Sequence, residues 1–331
     1  MFDSQPAGTR TLFRIDPWSA DYGASFEAEP EAEDESGDVA DAFVETDDWS
    51  HGIDPVPRPR PARVVFVDGV QRIEAWGRLQ QGDRLVEAAL ASIAVGASVC
   101  MDGSAAFERL QASRVLAVSS SLTVDPIDVR AGGQDLHFEP QPSQRAGREG
   151  VLDAVRNRRS QLERRLAESL IAPDALVVLD GRLSFDASRA TPVIGFAKTI
   201  QRFYLPEPQS RLVLRLEERQ RTPVFRIVFG ETVRYSWYLR LPNTRPIHHA
   251  LAGVVRLETP EIGRDAAIDL AGLTACHLPS FASLPQHDPR APQNLLPVGG
   301  LERRLRHEMG DPQFIRRAIE DYLTREVQAG A

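Results

Sequence analysis

Two apolar segments of the chain stop on the same Asp-Gly pair. VVFVDGV covers residues 64–70, and LVVLDGRL covers residues 176–183. Each predicts a buried strand, because a short apolar run is followed by residues that favour a turn. Two ordinary turns would explain both pairs, since Asp and Gly are common turn residues. The alternative is that two strands of one buried sheet bring Asp68 and Asp180 to a single site at its edge.

The rest of the pattern indicates an α/β fold. Further predicted strands follow the first Asp-Gly strand in hairpins, and a helix predicted at residues 149–171 leads into the second. A third apolar strand, TPVIGFAKT, precedes a predicted antiparallel meander at residues 211–241, and the last elements are helices. Because strands and helices are intermixed, we predict one α/β domain: a mixed β-sheet flanked by helices, with additional antiparallel hairpins.

Charge is distributed unevenly along the 331 residues. The formal net charge is −8, but residues 27–48 hold 11 acidic residues and no Lys or Arg, so the remainder is mildly basic at +3. We predict an N-terminal extension at residues 1–60 that contains this acidic, disordered tract, and a folded domain at residues 61–331. Basic residues cluster at 156–165 and 303–307. They form either solvated helix faces or a surface that contacts phosphates.

Membrane and secreted classes do not fit the sequence. No apolar run is long enough to span a bilayer, and the N-terminal residues lack the apolar core of a signal peptide. The two cysteines, Cys100 and Cys276, are far apart and have no metal-ligand spacing. We therefore expect a cytoplasmic protein with reduced thiols and no membrane contact.

Lys198 is the only lysine among the 39 basic residues. One explanation is a compositional bias towards arginine, in which case the single lysine at position 198 has no special role. An ammonium group is also a compact point charge that a planar guanidinium does not replace at a tight anionic site. Its position directly after an apolar strand makes Lys198 a candidate for such a site.

Carboxylates are the remaining candidates for chemistry. The chain has no phosphate-binding Walker loop, dinucleotide fingerprint, zinc-ligand cluster or nucleophile elbow. Acidic side chains at the ends of buried strands are suited to hard cations such as Mg²⁺ or Mn²⁺, which prefer oxygen ligands. Two such ions about 4 Å apart promote phosphodiester hydrolysis in many enzymes.

Four short motifs resemble those of NurA-type nucleases and occur in the same order. They are FVDGV at 66–70, VVLDGRLS at 177–184, VIGFAKT at 193–199 and APQNLLPVGGLERRLRH at 291–307. The resemblance covers roughly residues 60–310. It implies an RNase H-like core, a manganese-dependent site, action on DNA ends, a homodimer and partnership with the hexameric HerA-type ATPase.

The resemblance also implies roles for single residues. Asp68 matches the first metal ligand and Asp180 the acid of the second strand. The family places a glutamate on the helix before that strand, and Glu168 matches its spacing best, with Glu163 as the substitute. Lys198 matches the family's lysine, which pairs with substrate phosphate or with the acids.

Two of these assignments have alternatives. Glu168 lies one helical turn after Arg164, so a surface ion pair is a second explanation for it. Near the C-terminus the family has a tyrosine-proline run and a histidine or acid, whereas this chain has LLPVGGLERRL. Glu302 is the candidate there, and His307 is the second choice.

We therefore expect a Mn²⁺- or Mg²⁺-dependent deoxyribonuclease that processes DNA ends, with Asp68, Glu168, Asp180 and Glu302 as metal ligands and Lys198 as a further catalytic residue. Its role would lie in DNA repair or in antiviral defence. The alternative is a catalytically weak DNA-binding or adaptor subunit of the ATPase complex, which the altered C-terminal motif favours.

Overall fold

The computed structural model describes residues 12–15, 38–81, 83–131, 133–183, 192–200, 203–245 and 247–329. Its strands are β1 (Leu12–Ile15), β2 (Asp38–Asp41), β3 (Arg63–Gln81), β4 (Arg84–Met101), β5 (Ser104–Val118), β6 (Ile127–Ala131), β7 (Gln134–Pro142), β8 (Ala175–Asp180), β9 (Val193–Ala197), β10 (Phe225–Phe229), β11 (Thr232–Arg240) and β12 (Val254–Pro260). Its helices are α1 (Gly147–Leu170), α2 (Ser210–Arg215), α3 (Arg264–His277), α4 (Leu296–Glu308) and α5 (Pro312–Ala329), with a 3₁₀ turn at Leu278–Phe281.

All the strands of the described residues join one sheet. Its order is β2-β10-β11-β12-β9-β8-β3-β4-β5-β7-β6, and β1 pairs separately with β3. At the centre, β3, β8 and β9 run parallel, whereas β3, β4 and β5 are antiparallel neighbours. This arrangement of five strands is that of an RNase H-like sheet. The predicted α/β fold, a mixed sheet flanked by helices with additional hairpins, is confirmed.

Helices cover both faces of the central strands. β4 consists largely of small and β-branched residues and is buried almost continuously from Ala88 to Cys100, as expected for a strand with both faces covered. On one face, α1 packs through apolar residues at helical spacing, including Val151, Val155 and Leu162. α3 packs against the other face with Ala267, Leu270 and Ala271.

A small apolar cluster fixes α4 on the sheet. Leu301 and Leu305 of α4, and Met309 directly after it, pack against Val70 of β3 and Ala94 of β4. Gly96 of β4 makes room for this contact, because a Cβ atom there would lie 2.6 Å from the Leu110 side chain and 3.1 Å from that of Leu305. The helix therefore lies directly over the middle of β3.

Two segments differ from the sequence-based expectations. Part of the acidic tract predicted to be disordered is ordered here: Asp38–Asp41 pairs with β10, and Glu45 accepts two hydrogen bonds of 2.7 Å from Arg221. Residues 27–37 lie outside the described part of the chain, and the boundary at residue 60 stays a prediction. The segment RLVLR, expected as a strand, forms α2, because Leu212 and Val213 pack on the apolar cluster around Phe225.

Within the ranges that the structure describes, none of the helices has both the length and the apolarity needed to cross a membrane.

Candidate metal centre

The parallel pairing of β3 and β8 brings Asp68 and Asp180 to the same level of the sheet. The register places Val67 opposite Leu179, so the next residue of each strand is an aspartate. α4 adds Glu302 from above. One carboxylate oxygen from each of the three residues lies within 4.8 Å of the other two. The structure thus brings together three of the four acids that the sequence nominated.

The two Asp-Gly pairs have different structural roles. Gly181 follows the end of β8 with φ 97°, a conformation that favours glycine, so this pair does form a turn. Gly69 instead lies inside β3 and pairs with Val95 of β4, so the expectation that a strand ends at Asp68 was wrong. A Cβ atom at position 69 would lie 2.5 Å from Oε1 of Glu163. A side chain at this position would therefore have to displace that carboxylate.

Glu163, not Glu168, is the α1 carboxylate beside the cluster. The Glu163 side chain is 10% exposed, and its charge contributes to the electrostatic environment of Asp68. Glu168 is 49% exposed and lies 4.0 Å from Arg164 in a surface ion pair. Five residues of helix rotate a side chain by about 140° around the axis, so both cannot face the sheet. The structure therefore does not bring Glu168 to the cluster, and the substitute takes its place.

Burial and like charges act together on Asp68. Burial raises the pKa of the Asp68 carboxyl well above its usual range, and the charges of Asp180, Glu163 and Glu302 raise it further, whereas Lys198 opposes them. The Asp68 carboxylate accepts a 2.8 Å hydrogen bond from the backbone N–H of Gly69. Burial and the neighbouring negative charges thus destabilise the ionised form of this aspartate, and a bound cation would reduce that electrostatic cost.

Lys198 is tied to the cluster through Asp180. Its Nζ atom donates to Asp180 Oδ2 at 2.5 Å and to Asn294 Oδ1 at 2.7 Å. Burial by itself lowers the pKa of Lys198, but the attraction of Asp180 and Asp68 outweighs it and raises the pKa above its usual value. The ammonium therefore stays charged and compensates one of the three carboxylates.

Glu302 has a cation of its own. Arg290 donates to both of its oxygens, with Nη1 at 2.9 Å and Nη2 at 2.5 Å. Arg290 also contacts Asp288 at 3.3 Å, and Asn294 Nδ2 donates to Asp288 at 2.6 Å. His307, the second choice from the sequence, is exposed and does not belong to the group of carboxylates.

The sequence did not reveal Asp288, Arg290 or Asn294. They lie in the Pro-rich segment between the 3₁₀ turn and α4, which reads as a loop. Asn294 is nevertheless completely buried, and Asp288 nearly so. Buried polar groups need hydrogen-bond partners, and these residues find theirs in one another and in the site. Only their position in space reveals this.

The donor set fits a hard divalent cation. All three clustered ligands offer carboxylate oxygens, which Mg²⁺ and Mn²⁺ prefer, and no softer thiolate or imidazole ligand joins them in the described part of the chain. The raised pKa of Asp68 points the same way, because a bound cation removes the repulsion among the carboxylates. Chemically, the arrangement is suited to holding a cation beside a phosphate.

The chain matches no protein-family model and no curated protein. Its fold is similar to that of the NurA nuclease from Sulfolobus solfataricus, with a TM-score of 0.50, 10% identity, and coverage of 82% of this chain and 88% of that one. Endonuclease V from Bacillus subtilis gives a TM-score of 0.34 at 15% identity, covering 77% of this chain and 86% of that one. The catalytic domain of human endonuclease V gives 0.29 at 15% identity, covering 77% and 89%.

At 10% identity, the first of these likenesses shows a shared fold. The two endonuclease V structures score too low to carry an argument. The class that fold and site define together is an RNase H-like α/β protein with a buried cluster of carboxylates beside a lysine.

Proposed function

We propose that this protein is a metal-dependent deoxyribonuclease that hydrolyses phosphodiester bonds at DNA ends. The observation that carries the proposal is the cluster of Asp68, Asp180 and Glu302, whose oxygens lie within 4.8 Å of one another on an RNase H-like sheet. Carboxylates this close repel one another, and such perturbed acidic groups are concentrated at functional sites. The fold shared with a NurA nuclease and the ordered sequence motifs support the same proposal.

Asp68, Asp180 and Glu302 would hold Mn²⁺ or Mg²⁺, and Glu163 replaces Glu168 as the fourth candidate ligand. A divalent cation bound there would lower the pKa of a water molecule and polarise a phosphoryl oxygen. Oxygen ligands alone do not favour Mn²⁺ over Mg²⁺, so the two ions need to be compared directly.

The chain's own residues prepare the site for an anionic substrate. Lys198 fixes one oxygen of Asp180, and Arg290 holds both oxygens of Glu302, so both carboxylates have defined orientations. Asp68 is buried, which strengthens its electrostatic contacts with the neighbouring charges. Hydrolysis then joins the oxygen of a water molecule to phosphorus and breaks one phosphate ester bond, which leaves a shortened DNA strand.

A HerA-type hexameric ATPase, a homodimer, a cytoplasmic setting and a role in DNA repair or antiviral defence belong to the proposal through the sequence resemblance. The competing idea of a catalytically weak adaptor was based on the altered motif around Glu302. That residue lies in the cluster all the same, which argues against a degenerate site.

A cleavage assay with the full chain tests the proposal. End-labelled linear DNA is incubated with wild type and Asp180→Asn in Mn²⁺, Mg²⁺ or EDTA, with and without the partner ATPase. We expect cleavage by wild type that requires the ion and a loss of at least about 100-fold in Asp180→Asn. Glu168→Gln, a change at an exposed acid, is the matched control and should cleave at nearly the wild-type rate. Equal cleavage by wild type and Asp180→Asn would disprove this site, and no cleavage by wild type with its partner would favour the adaptor.

A further inference from the structure

Two cations pair with two of the three carboxylates. Lys198 pairs with Asp180, and Arg290 pairs with Glu302. Asn294 connects the two pairs: its Oδ1 accepts from Lys198, and its Nδ2 donates to Asp288, which in turn contacts Arg290. An unbroken chain of polar contacts therefore runs from Asp180 to Glu302 through the segment between residues 288 and 294.

The two cations differ in their access to solvent. The Lys198 side chain is 20% exposed, and its ammonium is engaged by Asp180 and Asn294. The Arg290 side chain is 50% exposed. Of the five N–H groups of a guanidinium, its contacts with Asp288 and Glu302 use four. Arg290 is therefore the more exposed of the two cations, and one N–H group of its guanidinium stays outside these contacts.

Guanidinium chemistry suits this position. A guanidinium N–H donates a charge-assisted hydrogen bond to a phosphate oxygen, and the group remains charged at every relevant pH. A carboxylate can accept from an arginine and still offer a lone pair to a metal ion. Once a cation binds Glu302, the carboxylate attracts Arg290 less strongly, so the guanidinium becomes more available to a phosphate.

We propose that Arg290 is the residue of this site that contacts the substrate phosphate, whereas Lys198 is a positioning residue that orients Asp180. The proposal rests on the nuclease function proposed above and assigns the phosphate contact to a residue that the sequence resemblance did not nominate. Asp288 fixes Arg290 next to Glu302: its Oδ1 accepts from the side chain at 3.3 Å and from the backbone N–H of Arg290 at 2.8 Å. Asn294 in turn donates to Asp288.

DNA binding and metal binding separate this role from a purely structural one. Binding of a fluorescent duplex is measured by anisotropy in Ca²⁺ over a series of salt concentrations, for wild type, Arg290→Gln and Arg290→Lys. Thermal unfolding in increasing Mn²⁺ is measured for the same proteins. Arg211→Gln is the control, because Arg211 of α2 forms an exposed ion pair with Glu207.

We expect Arg290→Gln to bind DNA about tenfold more weakly, with the slope of log K against log salt reduced by about 1, the loss of one phosphate contact. Arg290→Lys should recover part of the affinity, because it keeps the charge without the guanidinium. Both variants should keep the Mn²⁺-dependent rise in melting temperature, and Arg211→Gln should match wild type throughout.

Unchanged DNA affinity and an unchanged salt slope in Arg290→Gln would overturn the assignment. So would a loss of the Mn²⁺ response with unchanged DNA affinity, because Arg290 would then act only on Glu302. If Arg290→Gln fails to fold, Arg290→Lys and Asp288→Asn decide the question by the same two measurements. If wild type cleaves DNA and Arg290→Gln keeps the wild-type DNA affinity and salt slope, only the role of Arg290 is refuted. Wild type that neither binds nor cleaves DNA refutes the nuclease and this assignment with it.

Discussion

Asp68→Asn should make the metal-free protein more stable and the metal-bound protein no better than wild type. Asparagine has nearly the shape of aspartate but carries no charge, so it removes the repulsion from Asp180 and Glu302. It also removes a metal ligand. The substitution therefore separates the stability cost of the site from its proposed purpose.

The distances set the size of the effect. Two like charges 4.8 Å apart, the limit of separation in this cluster, repel by about 3 kcal/mol at an effective dielectric constant of about 20. Asp68 faces two such partners, which Lys198 and Arg290 offset in large part, but burial of the carboxylate also opposes its charge, so we take about 3 kcal/mol, the size of one such repulsion, as the effect that Asp68→Asn removes. For 331 residues, an unfolding entropy of about 2.1 cal/mol/K per residue converts this into a rise of about 4 °C in melting temperature.

Added metal should remove this difference in melting temperature between wild type and Asp68→Asn. At an ion concentration 100 times Kd, wild type gains about 2.7 kcal/mol, or again about 4 °C. A variant whose affinity is at least about 100-fold weaker gains less than about 1 °C at the same concentration. We expect wild type to catch up with Asp68→Asn as Mn²⁺ is added, after starting below it in EDTA.

Scanning calorimetry or dye-based melting of full-length protein in EDTA and in a Mn²⁺ series measures both quantities. Asp321→Asn, at an exposed position of α5, is the matched control and should follow wild type within about 1 °C. The reasoning is refuted if Asp68→Asn melts at or below the wild-type temperature in EDTA, or if it responds to Mn²⁺ as wild type does.

Three further predictions follow from the same geometry. Because Asp68 has a raised pKa in the folded protein, wild type without metal should lose stability relative to Asp68→Asn as the pH rises from the ordinary value of 3.8 through the folded pKa. Melting curves across this range measure the difference in melting temperature between the two proteins. A difference that stays undiminished below pH 3.8 contradicts the prediction. Glu163→Gln should reduce cleavage by about tenfold or more and Glu168→Gln by less than about twofold, measured as initial rates, and the reverse order would restore Glu168 to the site. Gly69→Ala should lower the free energy of unfolding by about 1–3 kcal/mol, seen as a lower melting temperature, and should also lower the cleavage rate, because the new methyl group would displace the Glu163 carboxylate. An unchanged melting temperature and cleavage rate would show that the Glu163 carboxylate moves aside without consequence.

The sequence predicts the sheet and the two strand acids well, because both depend on local patterns. An apolar run followed by Asp-Gly identified Asp68 and Asp180, whereas the parallel register that aligns them is a property of the folded sheet. The α1 ligand is harder to predict. Along α1, Glu163 and Glu168 both fit an approximate spacing, and only the phase of the helix against β3 decides which one is buried. Such a phase depends on tertiary packing, which a single sequence does not display.

Gly69 shows why the functional reading of the Asp-Gly pairs needed the structure. In β8, the glycine serves the turn that ends the strand, as its positive φ shows. In β3, the strand continues to Gln81, so turn chemistry has no part in the choice of glycine. A methyl group at position 69 would instead meet the carboxylate of Glu163, which approaches the backbone next to Asp68. Glycine inside a strand weakens it and is often a sign of a close approach by another group. Here the approaching group is the Glu163 carboxylate, so the glycine inside β3 lies where an acid of α1 comes close to Asp68.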